Sequence, residues 1–77
     1  MERDMDLIRE ILVQTKENEF PFEIKVEGKS EKEIMYHVGL MKDEGLIEAN
    51  EYYGNGYIDY NVTKLTPLGH HFINKVI

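Results

Sequence analysis

Three histidines, fifteen carboxylates and five tyrosines are the side chains of this sequence that could do chemistry. His70 and His71 are adjacent and diverge around a helix, so they cannot chelate a metal together as an i, i+4 pair would. His37 lies beside the apolar line of a predicted helix, where a structural role is the commoner one. No nucleophile stands beside a base in a recognisable motif, and residues 54–56 lack the rest of a phosphate-binding loop. We therefore expect no enzyme activity, no metal and no cofactor.

The sequence has more residues suited to binding a partner than to catalysis. The first candidate binding surface is one face of a helix predicted from Ser30 to about Glu44. At 100° per residue, its outward positions include Lys32, Met35, Tyr36, Gly39 and Lys42. The lysines could meet phosphates, the tyrosine could donate to a phosphate or a base edge, and the glycine would allow close approach. The helix has no arginine, which makes the commonest specific base contact, and acids surround it. The face is a candidate for binding nucleic acid or a protein partner, and a solvated helix face is the alternative.

The second candidate surface is a predicted β-hairpin, on which Tyr52, Tyr53 and Tyr57 are the candidate residues and Tyr60 lies close by. Tyrosines there could stack on bases or fill a protein interface, where tyrosine is enriched. The alternative is cross-strand pairing that holds the short hairpin together. The hairpin carries three acids against one lysine, which argues against tight contact with a phosphate backbone.

Helical periodicity predicts the elements that would position these residues. Asp4 can cap a first helix that runs to about Lys16 with one broad apolar stripe. In the second helix, Ser30 and Glu33 form a capping box, in which each side chain bonds the amide of the other residue. Gly45 is predicted to end that helix.

A last helix is predicted from Thr66 and Pro67, a hydroxyl cap followed by proline in the first turn. The face expected to contact the sheet consists of Leu68, Phe72 and Val76. Ile73 and Ile77 are left over, and our hypothesis is that they form a homodimer contact, because thin cores gain from association. A frayed end whose apolar residues fold back is the alternative.

A period of two predicts a strand through Phe22, Ile24 and Val26, which alternate with charged residues. Residues 46–53 and 57–65 flank a glycine-containing turn and are predicted to pair as a hairpin. The first strand can join the edge of the hairpin. We therefore expect a three-stranded antiparallel sheet.

The order of these elements predicts an α+β winged-helix domain with about three helices, spanning residues 1–77 as a single domain. Only a few residues separate Val26 from Ser30. The helix that should precede the recognition-like helix is therefore predicted to be absent or reduced. This is the largest departure from the DNA-binding pattern.

Composition limits the class of protein further. The 77 residues carry a formal charge of −6 and no cysteine. A dedicated nucleic-acid binder usually has a basic surplus, although overall charge does not exclude a local basic face. No apolar run approaches the roughly 20 residues that span a bilayer, and the charged start does not resemble a signal peptide. We expect a cytoplasmic protein without membrane contact.

Four blocks of the sequence resemble a known family, namely RDMDLIR at residues 3–9, YH at 36–37, EGLIEA at 44–49 and LTPLGH at 65–70. Together and in this order they are similar to an uncharacterised family of small bacterial and phage proteins, labelled only as a domain of unknown function. Residues 33–48 also resemble the recognition helix and wing entry of small winged-helix regulators. The resemblance covers nearly the whole chain. It implies a winged-helix fold and a phage or prophage origin, and it implies no activity.

Two functions are consistent with this sequence. The first is a DNA-associated transcriptional regulator that uses Lys32, Tyr36 and Lys42, and it rests mainly on fold analogy. The second is a protein–protein interaction module that keeps the fold, has lost DNA binding and engages a host or phage protein. The missing helix, the acidic balance and the tyrosine-rich hairpin favour the second function.

Overall fold

The computed structural model describes residues 3–54 and 56–76, except for the side chains of Tyr57 and Val76. In chain order its elements are α1 (Met5–Glu17), α2 (Glu31–Asp43), β1 (Ile47–Gly54), β2 (Tyr57–Leu65) and α3 (Pro67–Val76). The two strands form one antiparallel sheet. The prediction of an α+β protein with about three helices is confirmed.

Helix α1 begins at the predicted cap, where one carboxylate oxygen of Asp4 accepts from the amides of Asp6 and Leu7 at 3.0 and 3.1 Å. These bonds satisfy donors that have no partner within the helix. One side of the helix is buried and consists of Leu7, Ile8, Ile11, Leu12 and Thr15. The amphipathic stripe read from the sequence therefore faces the core.

Helix α2 is capped by Ser30, whose hydroxyl oxygen accepts from the amide of Glu33 at 3.1 Å. This is one half of the predicted capping box. The carboxylate of Glu33 does not complete the box, because it is turned towards the ammonium group of Lys29 at 3.8 Å. After the helix, Gly45 has a φ of +77°, which fits its predicted place at the helix end.

The hairpin has the predicted strands, with Ile47 opposite Leu65 at its base and Gly54 opposite Tyr57 at its tip. The register shifts between Glu48 and Ala49, as at a β-bulge. Ile47, Leu65 and Val62 are buried in the core formed with the helices. The base of the hairpin is therefore anchored, whereas its tip extends away from the core.

The predicted third strand is wrong, because the sheet in the described part of the chain has two strands. The alternation was read correctly: Phe22, Ile24 and Val26 are half-buried against the core, and the residues between them are exposed. The backbone of this segment forms its hydrogen bonds at Lys25 with a side chain, that of Gln14. The amide group of Gln14 donates to the carbonyl of Lys25 at 2.9 Å and accepts from its N–H at 3.3 Å. This segment is therefore extended without being part of the sheet.

The predicted orientation of the last helix is wrong for Leu68 and correct for Phe72, which packs against the core, and the side chain of Val76 lies outside the described residues. Leu68 is exposed, Phe72 is half-buried, and Gly69 and Ile73 are buried. The start of α3 sets this rotation, because Thr66 donates its backbone amide to the carbonyl of Leu46 at 3.1 Å and caps the helix with its hydroxyl. That anchor brings Gly69 directly over Leu46.

The core is one cluster of apolar side chains from all three helices and the hairpin. No helix in residues 3–54 and 56–76 is long and apolar enough to cross a membrane.

Candidate binding site between helix α2 and the hairpin

The five candidate residues on α2 do not share one outward face. Lys32 and Tyr36 are exposed and Lys42 is half-buried, but Met35 and Gly39 are buried. The prediction that Met35 and Gly39 point outward is therefore wrong. The side of the helix on which they lie packs against the sheet.

The ring of Tyr60 on β2 is what covers this side of α2. A Cβ built on Gly39 would lie 2.9 Å from the Tyr60 hydroxyl oxygen and 3.2 Å from two ring carbons. One turn earlier, the Sδ atom of Met35 accepts from the backbone N–H of Tyr60 at 3.4 Å. Gly39 thus allows the close approach of the protein's own hairpin, which is the role that the sequence had suggested for DNA.

Beside this contact, helix and hairpin enclose a shallow groove of about 320 Å³, which we call the α2–hairpin groove. It is lined by Lys32, Met35, Tyr36, Gly39, Leu40, Asp43, Ile58 and Tyr60. Its rim has two large exposed side chains, Tyr36 at 41% and Ile58 at 37% of their surface. The groove therefore combines exposed apolar and aromatic surface with one lysine and one carboxylate.

A second and larger cleft of about 470 Å³ lies on the other side of Met35 and Tyr60, and we call it the edge cleft. One wall is the extended segment from Phe22 to Glu27, and the opposite wall is β2 from Asp59 to Val62. The start of α2 forms the remaining side. Since Met35 and Tyr60 line both depressions, they form the partition between them.

The hairpin tyrosines lie in different surroundings. Tyr52 is partly exposed beside the edge cleft, Tyr53 has 80% of its surface exposed, and the side chain of Tyr57 lies outside the described residues. Neither Tyr52 nor Tyr53 lines the α2–hairpin groove, where the hairpin contributes Ile58 and Tyr60. The sequence pattern did not lead us to expect Ile58 and Tyr60 beside α2. The available signal was strand alternation, which puts positions 58 and 60 on the same face.

The pKa of Tyr52 is raised above its ordinary value. The largest cause is loss of solvent around the hydroxyl, and the negative charges of Asp59 and Glu31 are the next largest. Burial, followed by the charges of Glu51 and Asp43, raises the pKa of Tyr60. Both phenols are protonated at neutral pH, as an ordinary tyrosine is, and can donate a hydrogen bond. Both also lie in a negative field, which is unfavourable for a phosphate ligand.

His37 is fully buried and both of its ring nitrogens are used. Nδ1 lies 2.8 Å from the carbonyl of Glu33, and Nε2 lies 2.9 Å from the backbone N–H of Asp4. Nε2 must accept, so Nδ1 carries the proton and donates. The ring also packs against that of Tyr36 in a T-shaped arrangement, with centroids 5.4 Å apart. The histidine thus ties α2 to the start of α1.

Lys29 strengthens the same junction. Its ammonium group lies 2.7 Å from a carboxylate oxygen of Asp4 and 3.8 Å from one of Glu33. The hydrogen bond from Lys29, followed by that from the Leu7 amide, lowers the pKa of Asp4. The same contact with Asp4 raises the pKa of Lys29. Lys29 therefore links the start of α1 to the start of α2, and its ammonium group is paired within the fold.

Positive charge available for an anionic ligand is limited. Of the nine lysines and arginines, five form ion pairs with carboxylates of the described residues: Arg3, Arg9, Lys25, Lys29 and Lys64. On the predicted DNA-contacting face, only Lys32 and Lys42 remain without an ion pair to a described carboxylate. No group of three or more His, Cys, Asp or Glu side chains in the described residues could hold a metal ion.

One of the two residues expected to form a homodimer contact through α3 is not available for that contact. Ile73, which we expected to be free for a second copy, is buried in the core of its own chain. Ile77 lies outside the described residues. Among the described side chains of this helix, Leu68 is the large apolar one that is exposed. The homodimer stays a prediction.

Comparisons with known proteins bear on identity at the level of the family. No curated protein matches the chain, and no solved structure matches it. The model of the family described as hypothetical protein (DUF2513) matches residues 2–76. This confirms the resemblance to a family of unknown function that the four sequence blocks indicated. The chain therefore belongs to the DUF2513 family of hypothetical proteins.

Proposed function

We propose that this chain is a protein–protein interaction module, not an enzyme, and that the α2–hairpin groove is part of its binding surface. The observation that carries the proposal is the contact of Tyr60 with Gly39 and Met35. This contact buries two of the five expected DNA-reading positions against the hairpin, where they cannot enter a DNA groove. It also leaves Tyr36 and Ile58 on the rim of an apolar groove.

The chemistry of the groove supports a protein partner. Tyrosine and apolar side chains beside a depression are typical of the centre of a protein interface, and tyrosine is among the residues that contribute most to binding free energy. The formal charge of −6 acts against binding to DNA, because every duplex carries a dense negative charge. Neither the apolar groove nor the net negative charge disfavours binding to an uncharged or basic protein surface.

The proposed architecture is a reduced winged helix of phage or prophage origin. The order of α1, α2, hairpin and α3 supports the winged-helix part. Residues 18–30 contain no helix, so the helix that usually supports a recognition helix is missing. Its absence favours a module that has kept the fold without reading a DNA groove. The phage origin rests on the family resemblance of the sequence blocks.

A DNA-associated transcriptional regulator is the second candidate, and the exposure of Lys32 and Tyr36 is the observation in its favour. These side chains are one helical turn apart, so they lie on one strip of α2. Lysine can bind a phosphate and tyrosine can donate to one. With two cations at most, the strip would bind weakly and with a shallow salt dependence.

Titration of isotope-labelled protein with mixed-sequence duplex DNA, at low and at near-physiological salt, tests the choice between these functions. Our proposal predicts no amide shifts at Lys32, Tyr36 and Lys42 even at low salt. Shifts that cluster there and fade as salt rises would instead support the regulator, since phosphate binding releases counterions. A Lys32→Gln variant is the matched control, because it should abolish shifts that depend on phosphate contact.

A further inference from the structure

The edge of β2 that faces away from β1 has no strand beside it in the described residues. The backbone N–H of Tyr60 points to this side, where it meets the Sδ atom of Met35 at 3.4 Å. A thioether sulfur is a weak acceptor. Residues two apart in a strand direct their backbone groups to the same side, so Ile58 and Val62 present theirs to this edge as well. Unpaired edges of this kind accept an added strand.

The other wall of the edge cleft is already extended, from Phe22 to Val26, with its apolar side chains turned to the core. Gln14 binds the backbone of Lys25 from the side of α1, through both its amide nitrogen and its amide oxygen. That wall is therefore held by α1, and a cleft of about 470 Å³ separates it from β2. The volume falls in the range of about 300–1,000 Å³ that is usual for ligand clefts.

The charges of the edge cleft are mostly negative. Its lining includes four carboxylates, of Glu23, Glu27, Glu31 and Asp59, against two ammonium groups, of Lys25 and Lys29. Lys29 is already paired with Asp4, and Lys25 with Glu23. The floor is apolar and includes Ile34, Met35 and Val62. A ligand that fits both the floor and the rim must carry apolar and basic side chains.

We infer that the edge cleft binds an extended segment of a partner polypeptide, which adds a third strand to β2 and carries basic side chains alternating with apolar ones. Main-chain hydrogen bonds to this edge, including one in which a peptide carbonyl replaces the weakly accepting Met35 sulfur at the Tyr60 amide, supply affinity, and alternate side chains supply specificity, as in other cases of strand addition. The alternation of a strand places one set of side chains on the floor and the other at the acidic rim. This inference rests on the proposed function as an interaction module and names the chemistry of its partner.

The first test uses a capped eight-residue peptide of alternating valine and lysine as the probe, titrated into the isotope-labelled full chain. Two comparison peptides are alternating valine and glutamate, and the valine–lysine peptide N-methylated at alternate residues. We expect amide shifts in residues 58–62 and 22–26 with the valine–lysine peptide, together with contacts between peptide Hα atoms and the amides of β2. Binding of either comparison peptide should be weaker by about tenfold or more, because each lacks the complementary charge or the backbone donors.

Three outcomes would overturn the inference. The first is an absence of shifts at the edge cleft with the valine–lysine peptide at millimolar concentration. The second is equal binding by the N-methylated peptide, which would exclude backbone pairing. The third is cross-strand contacts between residues 22–26 and 58–62 in the free protein, which would mean that the chain itself closes the edge.

Variants of the chain test whether the peptide binds at the edge cleft. Ile58→Pro removes one backbone donor of this edge and should weaken the peptide by about tenfold. Because the Ile58 side chain also lines the α2–hairpin groove, the matched control is Ile58→Thr, which changes that side chain but keeps the donor and should change the peptide affinity by about twofold or less. Glu27→Gln together with Glu31→Gln removes two rim charges without touching the strand. This pair should also weaken the valine–lysine peptide, and the pair Glu17→Gln with Glu19→Gln, outside the cleft, should not.

Failure of the inference can be separated from failure of the proposed function. If the peptide does not bind but a polypeptide still cross-links to the α2–hairpin groove, the partner is not an added strand and the interaction module stands. If neither is observed, both fail. Binding of the peptide at the cleft, with both variant pairs behaving as expected, supports the two together.

Discussion

His37 shows how a residue with catalytic potential is used for structure. Its ring accepts from the amide of Asp4 and donates to the carbonyl of Glu33, in a fully buried position. We predict that His37→Phe lowers the free energy of unfolding by about 1–3 kcal/mol, because the Asp4 amide loses its acceptor. Urea denaturation measures this. His70→Phe is the matched control, since His70 is exposed, and an equal loss in both variants would contradict the assigned role.

Gly69 is the residue at which α3 comes closest to the hairpin base. A Cβ atom there would collide with the backbone carbonyl oxygen of Leu46 and would lie 3.2 Å from Leu65 Cδ2. We predict that Gly69→Ala lowers the free energy of unfolding by about 1–3 kcal/mol, as other overpacked sites do, despite the better helix propensity of alanine. The control is Asn74→Ala, at an exposed position of the same helix. Stabilisation by Gly69→Ala would show that the helix does not approach so closely.

At the residue scale, the sequence predicted the helix caps well and the candidate site only in part. Asp4 and Ser30 cap as expected because capping depends on neighbours within one turn. Met35 and Gly39 were misplaced because a helical wheel shows which positions share a face, not what covers that face. Tyr60, which covers them, is more than 20 residues away in sequence.

The junction between α1 and α2 is an element-scale contact that depends on pH. Lys29 lowers the pKa of Asp4 below its ordinary value of 3.8. A lowered carboxyl pKa contributes stability that is present above about pH 4 and is lost as the pH falls through the lowered pKa. We predict that Lys29→Met destabilises the protein at neutral pH and that the difference from the unmodified protein shrinks as the pH falls through the lowered pKa of Asp4.

Denaturation midpoints at a series of pH values measure that difference. Lys25→Met is the matched control, because Lys25 pairs with Glu23 at 3.6 Å while both side chains are more than 80% exposed. Exposed pairs of this kind contribute little. A loss in Lys29→Met that stays constant as the pH falls from neutral through the lowered pKa of Asp4 would contradict the role given to Asp4.

Gln14 is predicted to hold the extended segment against α1. Its side-chain amide makes both hydrogen bonds to the backbone of Lys25, so Gln14→Ala should speed hydrogen exchange at the Lys25 amide. Gln14→Glu keeps an acceptor for that amide and should slow exchange relative to alanine. Both can be read by NMR in the folded protein. Unchanged exchange in Gln14→Ala would mean that the segment is held by something else.

At the element scale, the sequence predicted the three helices and the hairpin but not the pairing of the extended segment. Alternation correctly indicated that Phe22, Ile24 and Val26 face the core. Alternation reports burial and does not report hydrogen-bond partners, so it could not separate a paired strand from a segment bonded to Gln14. Likewise the orientation of α3 depends on the close contact of Gly69 with Leu46, which a pattern of apolar residues does not reveal.

For the whole molecule, charge and shape favour the same class of partner. Acidic residues exceed basic ones by six, and five of the nine cations form ion pairs with carboxylates that the structure describes. The edge cleft and the α2–hairpin groove lie on either side of Met35 and Tyr60, and exposed tyrosines border them. A protein of this kind is expected to attract basic polypeptides and to repel a phosphate backbone.

The measurement that tests the central claim most directly is site-specific photo-cross-linking in cells that naturally produce the chain. A photoreactive phenylalanine would replace Tyr36 or Ile58 at the α2–hairpin groove, and Glu17 on the exposed side of α1 as the control. We predict adducts from the two groove positions alone that are destroyed by protease, resist nuclease and, for the Tyr36 probe, disappear with Ile58→Lys. Adducts that nuclease destroys, or a pattern identical at Glu17, would contradict the claim that this groove binds a protein.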